Sequence, residues 1–196
     1  MAIRKFETLE ASVDGERGCL TLTRPERLNP LGSDALQEIA EAARFLDTHA
    51  DLKVVVVSGQ GRAFSAGADV SQFGQPDAEG VSDPRRDADT GRVMADAMEN
   101  MNAVTIARIQ GHCVGGGLVL ASACDLRVAA EDVRFAIPEI DLGIPLAWGG
   151  IPRLVREIGP ALTKELVMTC RPFSAEEARM AGFVNRVVKP SDLDEV

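Results

Sequence analysis

The stretch Val54-Val-Val-Val-Ser-Gly-Gln-Gly-Arg-Ala-Phe-Ser-Ala-Gly-Ala-Asp69 decides the fold class. Its opening, Val54–Val57 between Lys53 and Ser58, is a continuous apolar run of β-branched residues. Such a run marks a strand buried on both faces, as in a parallel sheet. Gly59-Gln-Gly61 ends the strand, and a third glycine, Gly67, follows within a few residues. A second stretch has the same grammar. Ile106-Ala-Arg-Ile-Gln-Gly-His-Cys-Val-Gly-Gly-Gly-Leu118 runs from an apolar strand into glycine and then into an apolar, small-residue helix over about 115–123. Glycine lets a ligand approach the main chain closely. The first N–H groups of a helix lack internal partners and carry partial positive charge. Gly115-Gly116-Gly117 is therefore a candidate anion or oxyanion site, or else a device for tight helix–strand packing. Neither stretch matches the Gly-Lys-Ser/Thr ending of a P-loop or the spacing of a dinucleotide fingerprint.

Outward from these stretches, strands and helices alternate. Gly18-Cys-Leu-Thr-Leu-Thr23 reads as a strand and Arg24–Pro30 as a loop. Ser33 is placed to cap a helix whose Leu36, Ile39, Ala40, Ala43 and Leu46 recur at helical spacing. Residues 71–91, rich in Pro, Gly and charge, read as a mobile loop, and a helix is predicted from about 92 to 102. Strands are predicted over 104–109, 126–129, 133–135 and 184–188. Ser174-Ala-Glu-Glu177 is a capping box for a helix ending at Gly182. The alternation predicts an α/β fold of repeated β-β-α units.

Composition narrows the function. The chain has 196 residues, 45% apolar and 26% charged, with a net charge of −9. That charge has the wrong sign for nucleic-acid binding, which needs a field that neutralises phosphates. No apolar run reaches the length of a membrane span, and the charged N-terminus is not a signal peptide, so a cytoplasmic address is the default expectation. Cys19, Cys113, Cys124 and Cys170 form no C-x-x-C pair. His49 and His112 are too few for a zinc site, so no metal is expected. His49 reads as surface; His112, beside the glycine run, reads as structural or near a site.

With these motifs in place, the sequence resembles the crotonase, or enoyl-CoA hydratase/isomerase, family. The resemblance rests on Leu22–Leu31, Gly61–Val70, Ile109–Leu118, Ala123–Leu126 and Phe135–Glu139 with its continuation to Arg153, in the family order. It runs from about residue 5 to residue 190. It implies a crotonase-like spiral of ββα units, assembled as a homotrimer or hexamer, with an acyl-CoA thioester as substrate and no cofactor beyond its coenzyme A moiety. Residues 1–190 would be the acyl-CoA-binding core and 191–196 a truncated tail, with the C-terminal helices of the family short or absent.

The resemblance also assigns roles. Ala68 and Gly116 would supply two N–H groups to the thioester oxygen, with Gly115 beside them. The loop around Ala66, Asp69 and Val70 would form the adenine-binding stretch, and Leu28 and Ser71 would also contact the substrate. Arg24, Arg27 and Arg62 would reach CoA phosphates, or be ordinary surface charges. Glu139 would be the catalytic carboxylate, with a raised pKa if Leu118, Val119, Leu142, Ile144 and Trp148 wall it. The family's second glutamate falls at Val119 here. Asp141, two residues past Glu139, either shares its face or caps a turn. Some relatives place an Asp eight residues past this glutamate, where Ala147 stands, which argues against dienoyl isomerisation by that route. Asp125 is expected to be structural. One carboxylate suits proton shuttling better than water addition. Isomerase-like chemistry is therefore favoured over hydration, with a non-catalytic acyl-CoA-binding or scaffold protein as the alternative.

Overall fold

The computed structural model describes residues 1–72 and 84–195. The run Val54–Gly59 is strand β4, near the middle of a seven-stranded sheet. To one side lie β3 (Arg17–Leu22), β2 (Leu9–Asp14) and β1 (Ala2–Lys5), the last two pairing antiparallel. To the other lie β5 (Val104–Ile109), β7 (Leu126–Ala130) and β10 (Arg186–Val188). From β3 to β10 every pairing is parallel. Val55 and Val57 are wholly buried while Val54 and Val56 are half-buried, so one face of this strand is more deeply covered than the other.

A smaller sheet holds β6 (His112–Val114), β8 (Arg134–Ala136) and β9 (Phe173–Ser174). The repeat is now visible. Strand β5 lies in the large sheet, β6 in the small one, and helix α3 (Gly116–Ser122) follows. Strands β7 and β8 repeat the step and lead to helix α4 (Gly150–Thr169). This is the expected spiral of ββα units.

Helix α1 (Ser33–Asp47) buries the predicted Leu36, Ile39, Ala40, Ala43 and Leu46, with Ala35 and Ala42 beside them. Its cap differs from expectation: Gly32 is the N-cap and Ser33 is already helical. Helix α2 (Pro84–Glu99) begins eight residues before the predicted start. Proline is well suited to the first helical turn, where its missing N–H costs nothing. The part of the predicted 71–91 loop from 84 onward is thus helix, and 73–83 lies outside the described residues. Helix α4 has no counterpart in the sequence reading. Gly159, at φ 75°, and Pro160 kink it midway and interrupt its periodicity.

Helix α5 (Ala175–Met180) starts as its capping box predicts, the Ser174 hydroxyl accepting from the Glu177 N–H at 3.1 Å. Asp125 is structural as expected, accepting from the Thr105 N–H and hydroxyl at 2.7 and 2.8 Å. Past β10, a 3-10 turn over Pro190–Asp192 buries Leu193 in the core. No helix among the described residues is long and apolar enough to cross a membrane.

Candidate active site

The two glycine-rich stretches run side by side. Phe64 N–H donates to the Gln110 carbonyl, Ser65 N–H to His112 and Val114 N–H to Ser65, at 2.9, 3.1 and 3.1 Å. The stretch 63–69 is fixed on its other flank by the loop before α1. Ala66 N–H donates to Leu28 O and Leu31 N–H to Gly67 O, both at 2.8 Å. Asn29, buried and left-handed at φ 53°, gathers this corner. Its amide donates to the carbonyls of Gln60, Ala63 and Phe64, and its Oδ1 accepts from Arg24 N–H. Its own carbonyl accepts from the Ser65 hydroxyl, which in turn accepts from the Gly67 N–H. Sequence reasoning gave Asn29 no role, since all its partners but Arg24 lie more than thirty residues away.

This lacing aims Ala68. Gly67 O and Asp69 N–H both bond Leu31, which turns the Ala68 N–H to the opposite side. Gly67 sits at φ +91°, and a Cβ on it would lie 2.6 Å from Val114 O and 3.3 Å from Gly116 N. Only glycine permits that approach. The main chain before Ala68 is thereby pressed against the start of α3. Neither the Ala68 N–H nor the Gly116 N–H has a hydrogen-bond partner among the described residues.

Glu139 lies against the same turn. It is 7% exposed, and its Oε2 has no hydrogen-bond partner. Burial pushes its pKa up to about 7, against a smaller opposing effect from its own N–H. Gly115, at φ +48°, donates its N–H to Ala136 O and leaves room for the carboxylate beside it. The expected apolar wall needs correction. Leu118 and Val119 are buried, but Leu142 is 55% exposed and Ile144 only half-buried. Residues 138–144 coil into a turn, with Leu142 N–H and Ile144 N–H both donating to Glu139 O. That turn also separates Asp141, which is exposed, from buried Glu139, so the two do not share a face.

The predicted CoA-contacting residues divide. Arg24 pairs with Glu7 at 2.8 Å, and Arg27 with buried Asp69 at 3.0 Å. Burial alone would raise the Asp69 pKa, but hydrogen bonds from Ser71 and the Arg27 charge outweigh it and hold the carboxyl below its usual range. The Asp69 side chain thus secures its own loop. Val70 and Ser71 are exposed in a 3-10 turn, and Ala66 is half-buried. Arg62 is exposed and makes no ion pair among the described residues. His112 is exposed, and His49 stands edge-on to Phe45 at 5.0 Å. Cys113 and Cys124 are buried, their thiols pushed up by desolvation, that of Cys124 to about 12. Two open clefts, about 270 Å³ between α1 and α2 and about 350 Å³ around His49, are lined by none of the predicted site residues.

The fold that carries this site is one that known proteins share. The enoyl-CoA hydratase/isomerase family model matches residues 18–195. The "probable enoyl-CoA hydratase" of Mycobacterium tuberculosis is 36% identical over 188 residues, covering 96% of this chain and 71% of the relative. The peroxisomal "Delta(3,5)-Delta(2,4)-dienoyl-CoA isomerase" of Arabidopsis thaliana is 34% identical, covering 99% and 74%. Among solved structures, an enoyl-CoA hydratase/carnithine racemase from Magnetospirillum magneticum superposes with a TM-score of 0.90 at 30% identity, covering 97% of this chain and 72% of that one. The chain belongs to the enoyl-CoA hydratase/isomerase, or crotonase, family of acyl-CoA enzymes.

Proposed function

We propose that this protein isomerises an enoyl-CoA thioester through an enolate, with Glu139 as the single proton-transferring group. The thioester oxygen lies between the N–H groups of Ala68 and Gly116. Glu139 removes a proton from C2 of a 3-enoyl thioester. The electron pair moves onto the oxygen as an enolate, and Glu139 returns the proton at C4, leaving the double bond between C2 and C3. Two donors fixed in advance stabilise charge that appears only along the reaction, each such donor contributing about 3–4 kcal/mol in known cases.

The observation that carries this reading is the Glu139 carboxyl itself: buried, with Oε2 unpartnered, and with a pKa near 7. A carboxyl so poised takes and returns a proton near neutral pH. Val119 supports isomerisation over hydration, since the family's second glutamate falls at this apolar position. The Mycobacterium tuberculosis relative's name favours hydration as the second reading. Arg62, exposed and unpaired among the described residues, is the best-placed of the three arginines to meet a CoA phosphate. A trimer or hexamer is the assembly this reading carries with it.

The test is to follow conjugated-thioester absorbance with 3-enoyl-CoA and with crotonyl-CoA. Absorbance should rise with the first and change little with the second. Hydration of crotonyl-CoA without isomerisation would overturn the proposal. Activity on neither, with measurable binding, would favour an acyl-CoA-binding scaffold. Glu139→Gln should abolish turnover and keep acyl-CoA binding, and undiminished turnover would remove Glu139 from the mechanism.

A further inference from the structure

Trp148 is the only tryptophan in the chain, and it occupies an expensive position. Its backbone is left-handed at φ 57°, a conformation that bulky residues seldom adopt and that costs energy. Arg153 holds it there. One guanidinium nitrogen donates to the carbonyls of Trp148 and Gly149 at 3.3 and 3.2 Å, and another binds Asp96 and Glu99 of α2 at 2.8 and 2.5 Å.

The indole fills the space between two helices, and each gives up a side chain to admit it. A Cβ on Gly91 of α2 would lie 2.0 Å from indole Cδ1, and one on Gly116 of α3 would lie 2.2 Å from Cζ3. Glycine inside a helix is itself unfavourable relative to alanine. Strain at Trp148, a helical glycine and the ion pairs of a buried arginine all go to placing one ring. That ring lies against Gly116, the residue whose N–H is proposed to hold the thioester oxygen.

We infer that the Trp148 indole is the specificity-determining wall of the acyl pocket, closing the route between α2 and α3 and confining the site to short acyl chains. This rests on the acyl-CoA reading above. With the carbonyl oxygen at Gly116 N–H, an acyl chain leaving the thioester carbon along α3 meets the ring within a few carbons. Removing the ring opens a slot lined by Gly91 and Gly116.

The test is calorimetric binding of CoA, butyryl-CoA and decanoyl-CoA to the wild type and to Trp148→Ala. The ratio of decanoyl to butyryl affinity should rise roughly tenfold or more in the variant, since each methylene accommodated is worth at least that order of discrimination. CoA without an acyl group should bind both proteins equally. A purely structural role would weaken both thioesters together and leave the ratio unchanged, and that result overturns the inference. Should Trp148→Ala fail to fold, Trp148→Phe should move the ratio in the same direction by less. In the wild type, butyryl-CoA should shift the emission of this lone tryptophan while CoA alone does not; bound butyryl-CoA without any such shift also overturns it. Failure of the wild type to bind any acyl-CoA would instead remove the acyl-CoA reading, and this inference with it.

Discussion

The Glu139 carboxylate occupies the space that a side chain on Gly115 would need: Oε1 lies 2.2 Å from where that Cβ would be. The glycine before the proposed donor Gly116 thus makes room for the proposed proton carrier, and one turn of chain fixes both. Gly115→Ala should therefore displace the carboxylate by about the width of a methyl group, and it also strains a residue at φ +48°. Misplacing a catalytic group by about 1 Å costs on the order of 10²-fold in rate. Steady-state turnover should fall by that order, while acyl-CoA affinity changes far less. Gly15→Ala is the control. It carries similar strain at φ +59° with nothing within 4 Å of the added methyl, so it should lower stability by about 1 kcal/mol and leave turnover intact.

The raised pKa of Glu139 links activity to stability. Its folded value is about 7, against an ordinary glutamate value of 4.5. Between these values the folded protein holds the proton more tightly than the unfolded chain. Stability from this group is therefore fully present below about pH 4.5 and is lost as pH rises through 7. Catalysis by the ionised form runs the other way, so kcat/KM should rise with pH and level off above 7. Glu139→Gln cannot ionise. From pH 5 to pH 8 its stability relative to wild type should improve by on the order of 3 kcal/mol. Urea melts at the two pH values measure this, and parallel changes in both proteins would contradict the buried titration.

What the sequence made legible was local. Val54–Val57 announces a buried parallel strand because its neighbours along the chain are alike, and Gly115-Gly116-Gly117 announces a close approach of main chain by composition alone. Asn29 and Arg153 were illegible for the opposite reason. Asn29 bonds carbonyls at positions 60, 63 and 64, and Arg153 bonds carboxylates at 96 and 99. Nothing in their own segments names those partners. Helix α4 was hidden by Gly159 and Pro160, whose kink breaks its periodicity. Leu142 does not wall Glu139 because residues 138–144 coil into a turn that leaves its side chain exposed.

Gly67 separates the aim of the Ala68 N–H from the identity of the residue that bears it. Gly67→Ala would drive a methyl to within 2.6 Å of Val114 O and force the 66–69 backbone away from α3. The two proposed donors would then be moved apart. Loss of one preorganised donor costs about 10²–10³ in kcat. The variant should lose turnover by that order and bind acyl-CoA more weakly, since both states of the substrate use the same donors. Glu139 lies on another segment, so the pH midpoint of the residual activity should stay near 7. A shifted midpoint with unchanged kcat would place the effect on the carboxyl and not on the donors.

Val119→Glu asks whether this site lacks hydration chemistry for want of one group. Val119 stands one helical turn above Gly115, its N–H donating to Gly115 O at 3.0 Å. Side chains on a helix lean toward its N-terminus, which directs this position toward the turn where Glu139 lies. A second carboxyl there should help orient a water and share its protons, so hydration of crotonyl-CoA should increase relative to isomerisation of 3-enoyl-CoA. The change carries two physical costs. Val119 is 1% exposed and packs against the Gly150 backbone, so a buried carboxyl should lower the melting temperature by several degrees. Two carboxyls in one site also resist joint ionisation, so the midpoint for Glu139 should move above 7. A destabilised variant with an unmoved midpoint and an unchanged ratio of the two activities would mean that position 119 does not face the reacting carbons. The single-carboxylate account of isomerase preference would then lose its basis.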